Sequence, residues 1–302
     1  MKTPCYTALK KLAYWGLPRG VYQLLEQLRD HRAPDQRASL NSQVAHLAKD
    51  NTVFKDQHKG ERCFILATGP SVAQQDLRSL ADEHCIAVSH FFLHRDIRVI
   101  SPQYHVVAPY HSPFTFAEVE KLVDGMHENY SKNTICFFCH APYQYSTYEF
   151  FRLHPEKSFQ DTYLIDYTHS SDLNEQNHLR QSTWDIAASP FQVRTVIYAA
   201  IQLAFYMGFK EVYLVGCDHD YLHDTKRVSD HHFYKEEEGV SDVEHLSGFT
   251  TERWFKEYYF RWQQYRLMQE YAKQRGCQIL NATKGGMLDV FPRVSLEDIL
   301  NS

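Results

Sequence analysis

No stretch of this sequence stays apolar over the ~20 residues that a helix needs to cross a bilayer. Its first residues also lack the apolar core of a secretory signal, so a cytoplasmic protein is expected. Basic charge is not in excess: 32 Lys and Arg stand against 37 Asp and Glu, a net charge of −5. A broad cationic footprint is therefore absent, and nucleic acid is not an expected partner. Cysteine is sparse and odd in number, at positions 5, 63, 85, 136, 139, 217 and 277. Cys63, Cys85, Cys136 and Cys277 fall inside apolar runs, the pattern of reduced, buried thiols in a cytoplasmic chain. There is no internal repeat and no low-complexity segment, which sets aside solenoids and disordered linkers.

What is present is globular composition on a large scale. The chain has 302 residues, 43% of them hydrophobic, with twenty Tyr and nineteen Phe. Large aromatic side chains fill thick cores and also stack on sugars or bases, and composition alone serves both uses. Residues 1–58 are rich in Gln and Lys and carry no strand signal, so they read as an N-terminal helical extension. Within them the segment from Tyr6 to Arg19 is basic and aromatic. It suits a helix lying on an anionic membrane surface, and equally a helix packed on the domain or on a second copy in a homo-oligomer.

From residue 59 the character changes. Arg62–Ala67, Cys85–Ser89, Tyr104–Ala108, Thr134–Cys139, Glu211–Gly216 and Cys277–Asn281 are short apolar runs separated by helical stretches. Such runs predict an α/β domain, its mostly parallel sheet covered by helices on both faces. Val193, Val196, Ile197, Ala200, Ile201, Ala204 and Phe205 recur at helical spacing, and Gly208 closes that helix. A second, aromatic-rich helix is predicted from about Thr250 to Arg275, with Gly276 after it. Between Asp218 and Gly248 lies a His-, Asp- and Glu-rich segment with little periodicity, of the size of a lid.

Five motifs offer chemistry. Thr68-Gly69-Pro70-Ser71 follows the first strand, where an open α/β sheet binds ligands. Gly69 permits close backbone approach, Pro70 opens a helix and Ser71 stands near its first N–H groups; a plain strand-to-helix turn has the same look. Ser189 and Thr195 flank the start of the helix before the fifth run, where they serve as caps or as nucleotide contacts, with Arg194 as a neighbouring cation. Gly216-Cys217-Asp218-His219-Asp220-Tyr221 puts acids and an imidazole at a strand's carboxyl end, suited to a ribose or a metal ion. His223, His231, His232 and His245 in the lid are candidates for proton transfer, though their spacing fits no zinc signature. Cys136-Phe137-Phe138-Cys139-His140 has half the spacing of a metal site, but strand alternation sends its two thiols to opposite faces, so metal binding there is rejected.

Two of these blocks share a resemblance. Ile65 to Val72 resembles the opening strand and loop of the small bacterial sialyltransferases of lipooligosaccharide synthesis. Phe209-Lys210-Glu211-Val212-Tyr213-Leu214-Val215-Gly216-Cys217-Asp218 resembles their second signature. Both blocks, and the closing strand with Gly285 and Gly286, also look like the wider group named for 6-hydroxymethylpterin diphosphokinase, found in surface-polysaccharide gene clusters. The resemblance spans about residues 61–300. It implies a Rossmann-like fold, a CMP-sugar donor, a glycan or lipid-linked glycan acceptor, and inverting transfer with no metal cofactor. By position it puts Thr68, Gly69, Ser71, Ser89, Thr195, Asp218 and Tyr221 near the nucleotide, and Pro70, Ser189 and Gly216 of the same motifs are expected to contact it as well. A lid histidine would be the base, His245 first and His232 second. This chain departs from the family in having Thr68 in place of its first-loop Asn and in lacking its Thr-Ser-Gly contact near Thr195. Two other readings fit the same residues. One is a magnesium-dependent pterin diphosphokinase using Asp218 and Asp220; the other is a non-catalytic nucleotide-binding subunit of a polysaccharide assembly complex.

Overall fold

The computed structural model describes residues 34–110, 114–143, 146–224, 231–235 and 250–301. The chain divides into a unit of residues 1–43 and one of residues 44–302, and the sheet belongs to the second. The segment from Tyr6 to Arg19, His245 and most of the lid lie outside the described residues. Among the described residues no helix is long and apolar enough to cross a membrane.

Seven strands form one sheet: β1 (Arg62–Leu66), β2 (Cys85–Val88), β3 (Tyr104–Val107), β4 (Ile135–His140), β5 (Thr162–Asp166), β6 (Glu211–Val215) and β7 (Gln278–Asn281). Every pairing is parallel, in the spatial order β5-β4-β3-β2-β1-β6-β7. The chain builds outward from β1 to β5, then crosses back to add β6 and β7 on the other side of β1. That reversal makes the carboxyl ends of β1 and β6 the switch point of the sheet. The sheet is wholly parallel, where the sequence predicts a mostly parallel one, and it has a seventh strand that the apolar runs miss. β5 is an edge strand, so its Thr162 and Tyr163 stay half-buried and its sequence lacks a continuous apolar signal.

Alternation divides the sheet's side chains between two cores. Ile65, Val88, Val106, Cys139 and Leu214 face the layer that contains α5 (Val196–Tyr206) and α6 (Thr251–Gln274). Leu66, Ala87, Cys136 and Phe138 face the other side, where α3 (Phe116–Asn129) and α4 (Thr147–Leu153) supply much of the cover. Cys136 and Cys139 thus sit on opposite faces, as their spacing requires. Cys277 departs from expectation: it precedes β7 by one residue and is only half-buried. The remaining helices are α1 (Pro34–Leu47), the single turn α2 (Ile97–Ile100) and α7 (Leu296–Leu300).

The 3₁₀ segment Ala48–Phe54 leads into β1 and wedges Phe54 among Tyr104, Phe137 and Tyr163. Its fully buried Asn51 donates through Nδ2 to the Leu164 carbonyl on the edge strand, at 2.7 Å, and to the Ile186 carbonyl, at 2.8 Å. Asn51→Leu keeps the volume but leaves two buried carbonyls without these donors. It should destabilise the fold by about 3 kcal/mol in urea denaturation, and an unchanged midpoint would show that Asn51 does not secure the edge strand.

Candidate functional site

Five residues separate Leu66 from Val72, and in them the chain turns out of β1 into a short 3₁₀ turn, Pro70–Gln74. Pro70 suits the first turn because it has no N–H to lose there. Across the switch point β6 leads into Gly216, Cys217, Asp218 and His219. The two loops are bound to each other. The Gly69 N–H donates to the Gly216 carbonyl at 2.9 Å, the Ser71 N–H to Asp218 Oδ1 at 3.2 Å, and the Ser71 hydroxyl to Asp218 Oδ2 at 2.8 Å. Gly69 is required by this contact. A Cβ on it would lie 1.9 Å from Asp218 Oδ2 and 2.5 Å from the Gly216 carbonyl oxygen. Gly216 has φ of +73°, and its Cβ would meet Val72 at 2.3 Å. The glycines therefore allow loop to approach loop. The Gly69 and Ser71 N–H groups, which a phosphate-cradling turn would aim outward, are turned inward.

A third loop closes on the pair. After β7 the chain returns so that the Met287 N–H donates to the Asp218 carbonyl at 2.7 Å, while the Cys217 N–H donates to Thr283 Oγ1 at 3.0 Å. Asp218 is buried, and burial pushes its carboxyl above the usual carboxylate range against the opposing effect of the Ser71 hydrogen bonds.

The described part of the lid sits over the first loop. The Phe233 N–H donates to the Thr68 carbonyl at 3.0 Å, and Phe233 packs against Phe91 and His94. That anchor puts His232 Nδ1 3.0 Å from the Thr68 hydroxyl, with the His232 ring stacked on Tyr234. Tyr234 in turn lies 5.5 Å, centroid to centroid, from His90, which follows Ser89 at the end of β2. Ser89 has φ of +50°, an unusual backbone for a residue with a side chain. Burial, with His232 next, pushes His90 down to about 4, so its imidazole is neutral at neutral pH. Tyr221 stands 5.1 Å from His231 and near His219.

Thr68, Gly69, Pro70, Ser71, Gly216, Asp218 and His232 thus share one place, the crevice between the ends of β1 and β6, and Ser89 opens the next loop. Thr195 caps α5, a helix running antiparallel to the strands, so it also lies at the sheet's carboxyl edge, but its side chain makes no cap hydrogen bond. Ser189 is elsewhere. Its hydroxyl faces the Asp166 carbonyl at the end of β5, at 3.5 Å, four strand spacings or about 19 Å from β1. Arg194 is held by Asp172 and Glu257. His219 is a core residue, its Nε2 2.8 Å from the Tyr265 hydroxyl and its carbonyl accepting from the Tyr258 hydroxyl. The aromatics of α6 therefore serve as the seat of this loop. Sequence reasoning missed His90 and Tyr234. The position of His90 directly after a strand was the available signal; the contact of Tyr234 depends on how the lid folds.

No protein-family model matches the chain, and no curated protein matches it. Among solved structures it is similar to the sialyltransferase CST-II, as a variant in complex with CMP, at 13% identity and a TM-score of 0.46 over 80% of this chain and 88% of the other. It is also similar to the sialyltransferase CstII from Campylobacter jejuni in complex with cytidine-5'-monophosphate, at 13% identity, TM-score 0.39, 77% and 84% coverage. A structure of that enzyme with CMP-3FNeuAc gives 13% identity, TM-score 0.38, 78% and 85% coverage.

Two outcomes test the site's construction. Gly69→Ala should destabilise the protein by about 2 kcal/mol or more, because the new Cβ meets a carboxylate and a backbone carbonyl that cannot both move aside; unchanged urea stability would show that the loops are not in contact. The second outcome concerns pH. Burial pushes His105 and His219 down to about 3 and His90 to about 4, whereas the unfolded chain protonates its histidines near 6.5. As pH falls below about 6.5 the unfolded state takes up protons that the folded state refuses, so stability is lost on the way down. Asp218, raised, acts in the opposite sense but only around its own carboxylate range. Tm should fall by several degrees between about pH 7.5 and about pH 5; a flat profile would contradict the burial of these imidazoles.

Proposed function

We propose that this protein is a glycosyltransferase of bacterial surface-glycan synthesis. It would transfer sialic acid or a related nonulosonic acid from a CMP-activated donor to a hydroxyl of a glycan or lipid-linked glycan, with inversion. One observation carries the proposal. The two sequence blocks that resemble sialyltransferases lie well over a hundred residues apart, yet their loops are joined by the Ser71–Asp218 hydrogen bonds at the switch point. The signals at Thr68–Ser71 and at Asp218 thereby fall at one place, the end of the sheet at which α/β folds take nucleotides.

In this reading the nucleotide lies across the crevice. Each Asp218 oxygen accepts one hydrogen bond from Ser71 and has a lone pair left for a ribose hydroxyl. Hydroxyl and N–H donors, among them Thr68 and Tyr221, meet the phosphate, and no metal is needed to stabilise it. The base is a lid histidine, His245 or His232. For His232 the support is its contact with Thr68: with Nδ1–H donating to the hydroxyl, Nε2 carries the basic lone pair. The base takes the acceptor hydroxyl proton as that oxygen bonds to the anomeric carbon, and the bond from that carbon to the CMP phosphate oxygen breaks, releasing CMP. The enzyme would work in the cytoplasm, with the basic aromatic segment 6–19 holding it at the inner face of the membrane or against a second copy.

The diphosphokinase alternative needs Asp218 and Asp220 to hold magnesium. CMP alone should raise Tm in a screen against CMP, UDP, GDP and ATP with and without magnesium. A shift confined to ATP with magnesium would favour pyrophosphoryl transfer, and CMP binding with no turnover on an acceptor panel would favour a non-catalytic subunit. His245→Ala or His232→Ala should lower transfer by about 100-fold or more with CMP binding retained; full activity in both variants would rule out a lid base.

A further inference from the structure

The opposite edge of the sheet carries a second constellation. His58 and Glu61 lie in the turn that enters β1, and His84 immediately precedes β2. His58 Nδ1 is 3.0 Å from Glu61 Oε2, and His84 Nε2 is 2.7 Å from the same oxygen. Among the described residues this is the set of His, Cys, Asp or Glu side chains whose ligand atoms converge closely enough for one ion. We propose that His58, Glu61 and His84 form a binding site for a divalent transition metal of the zinc class.

The donor set is one that zinc uses: two imidazole nitrogens and a carboxylate oxygen, with a fourth position for water. A tetrahedral ion about 2.0–2.1 Å from each ligand holds ligand atoms about 3.3 Å apart, so each imidazole nitrogen would draw back from the carboxylate oxygen by about 0.3 to 0.6 Å, and all three atoms already lie within 4.8 Å of one another. The surroundings prepare His58 for the role. Its other nitrogen, Nε2, is 2.6 Å from the Tyr104 hydroxyl, the kind of outer partner that fixes the tautomer of a ligating histidine. The Tyr104 hydroxyl oxygen can accept from Nε2–H, which leaves Nδ1 as the ligating nitrogen. The ring is clamped by Phe209, stacked at 4.7 Å with an interplanar angle of 11°. The His58 backbone N–H also donates to the Met207 carbonyl at 2.8 Å, so the backbone as well as the ring is held.

The ion would lie about 20 Å from the switch-point crevice, at the other end of β1, and takes no part in group transfer. Its consequence is structural: it ties the segment entering the sheet to the start of β2, replacing the direct contact of one carboxylate with two imidazoles. Bound metal then stabilises the fold by mass action.

The test uses the untagged full chain stripped of metal. Titration with Co(II) should give the visible absorption of a tetrahedral N/O site at one equivalent, and Zn(II) should bleach it and raise Tm. His84→Ala and Glu61→Gln, both at partly exposed positions and so expected to fold, should weaken Co(II) binding by at least about 100-fold, and Tyr104→Phe by about tenfold. CMP binding should be unchanged in all three. Absence of stoichiometric Co(II) or Zn(II) binding would overturn the proposal, as would equal binding in the wild type and both ligand variants.

Discussion

The structure of the crevice depends on a serine hydroxyl and N–H that hold a buried carboxylate. Ser71 and Asp218 come from loops at the ends of β1 and β6, the two neighbouring strands between which the chain reverses its direction of building. Burying a carboxylate is costly unless it is hydrogen-bonded. The two donors of Ser71, each worth about 1.5–3 kcal/mol when the acceptor is charged, offset that cost and fix the distance between the loops. Gly69 is the steric counterpart, since any side chain there would occupy the space that the carboxylate fills. Met287 then closes on the Asp218 carbonyl from the far side.

Near this floor His90, His105 and His219 are kept neutral. Burial is the main cause for His90 and His105, and His219 is spent on holding α6. Arg194, the cation nearest in sequence to the capping Thr195, is neutralised by Asp172 and Glu257.

Much of the framework was legible in the residues. Continuous apolar runs declared the parallel strands, and the 193–216 helix, glycine and strand followed from simple periodicity. The Thr250 cap and Gly276 bounded α6 within a residue. β5 escaped because polar Thr162 and Asp166 leave it an apolar run of only three residues, Tyr163 to Ile165. In the site, position after a strand picked out Thr68 to Ser71 and Asp218, which lie together at the ends of β1 and β6, but not the contact that joins them. Gly69 and Ser71 read as ligand-facing and turn out to face Asp218, because hydrogen bonds between loops carry no local pattern. Ser189 shows the reverse failure: it precedes a helix that begins at the right edge, yet its own hydroxyl stays with β5. The cluster of His58, Glu61 and His84 was invisible for the same reason, since His58 and His84 are joined only by the pairing of β1 with β2.

Whether the β1–β6 crevice is the nucleotide site is tested most directly by hydrogen–deuterium exchange of the full chain with and without CMP. CMP should slow exchange in residues 67–71, 216–221 and 231–235 together and leave the His58–Glu61 turn at the opposite edge unchanged. Protection confined to other segments, or none at saturating CMP, would contradict a nucleotide site in this crevice.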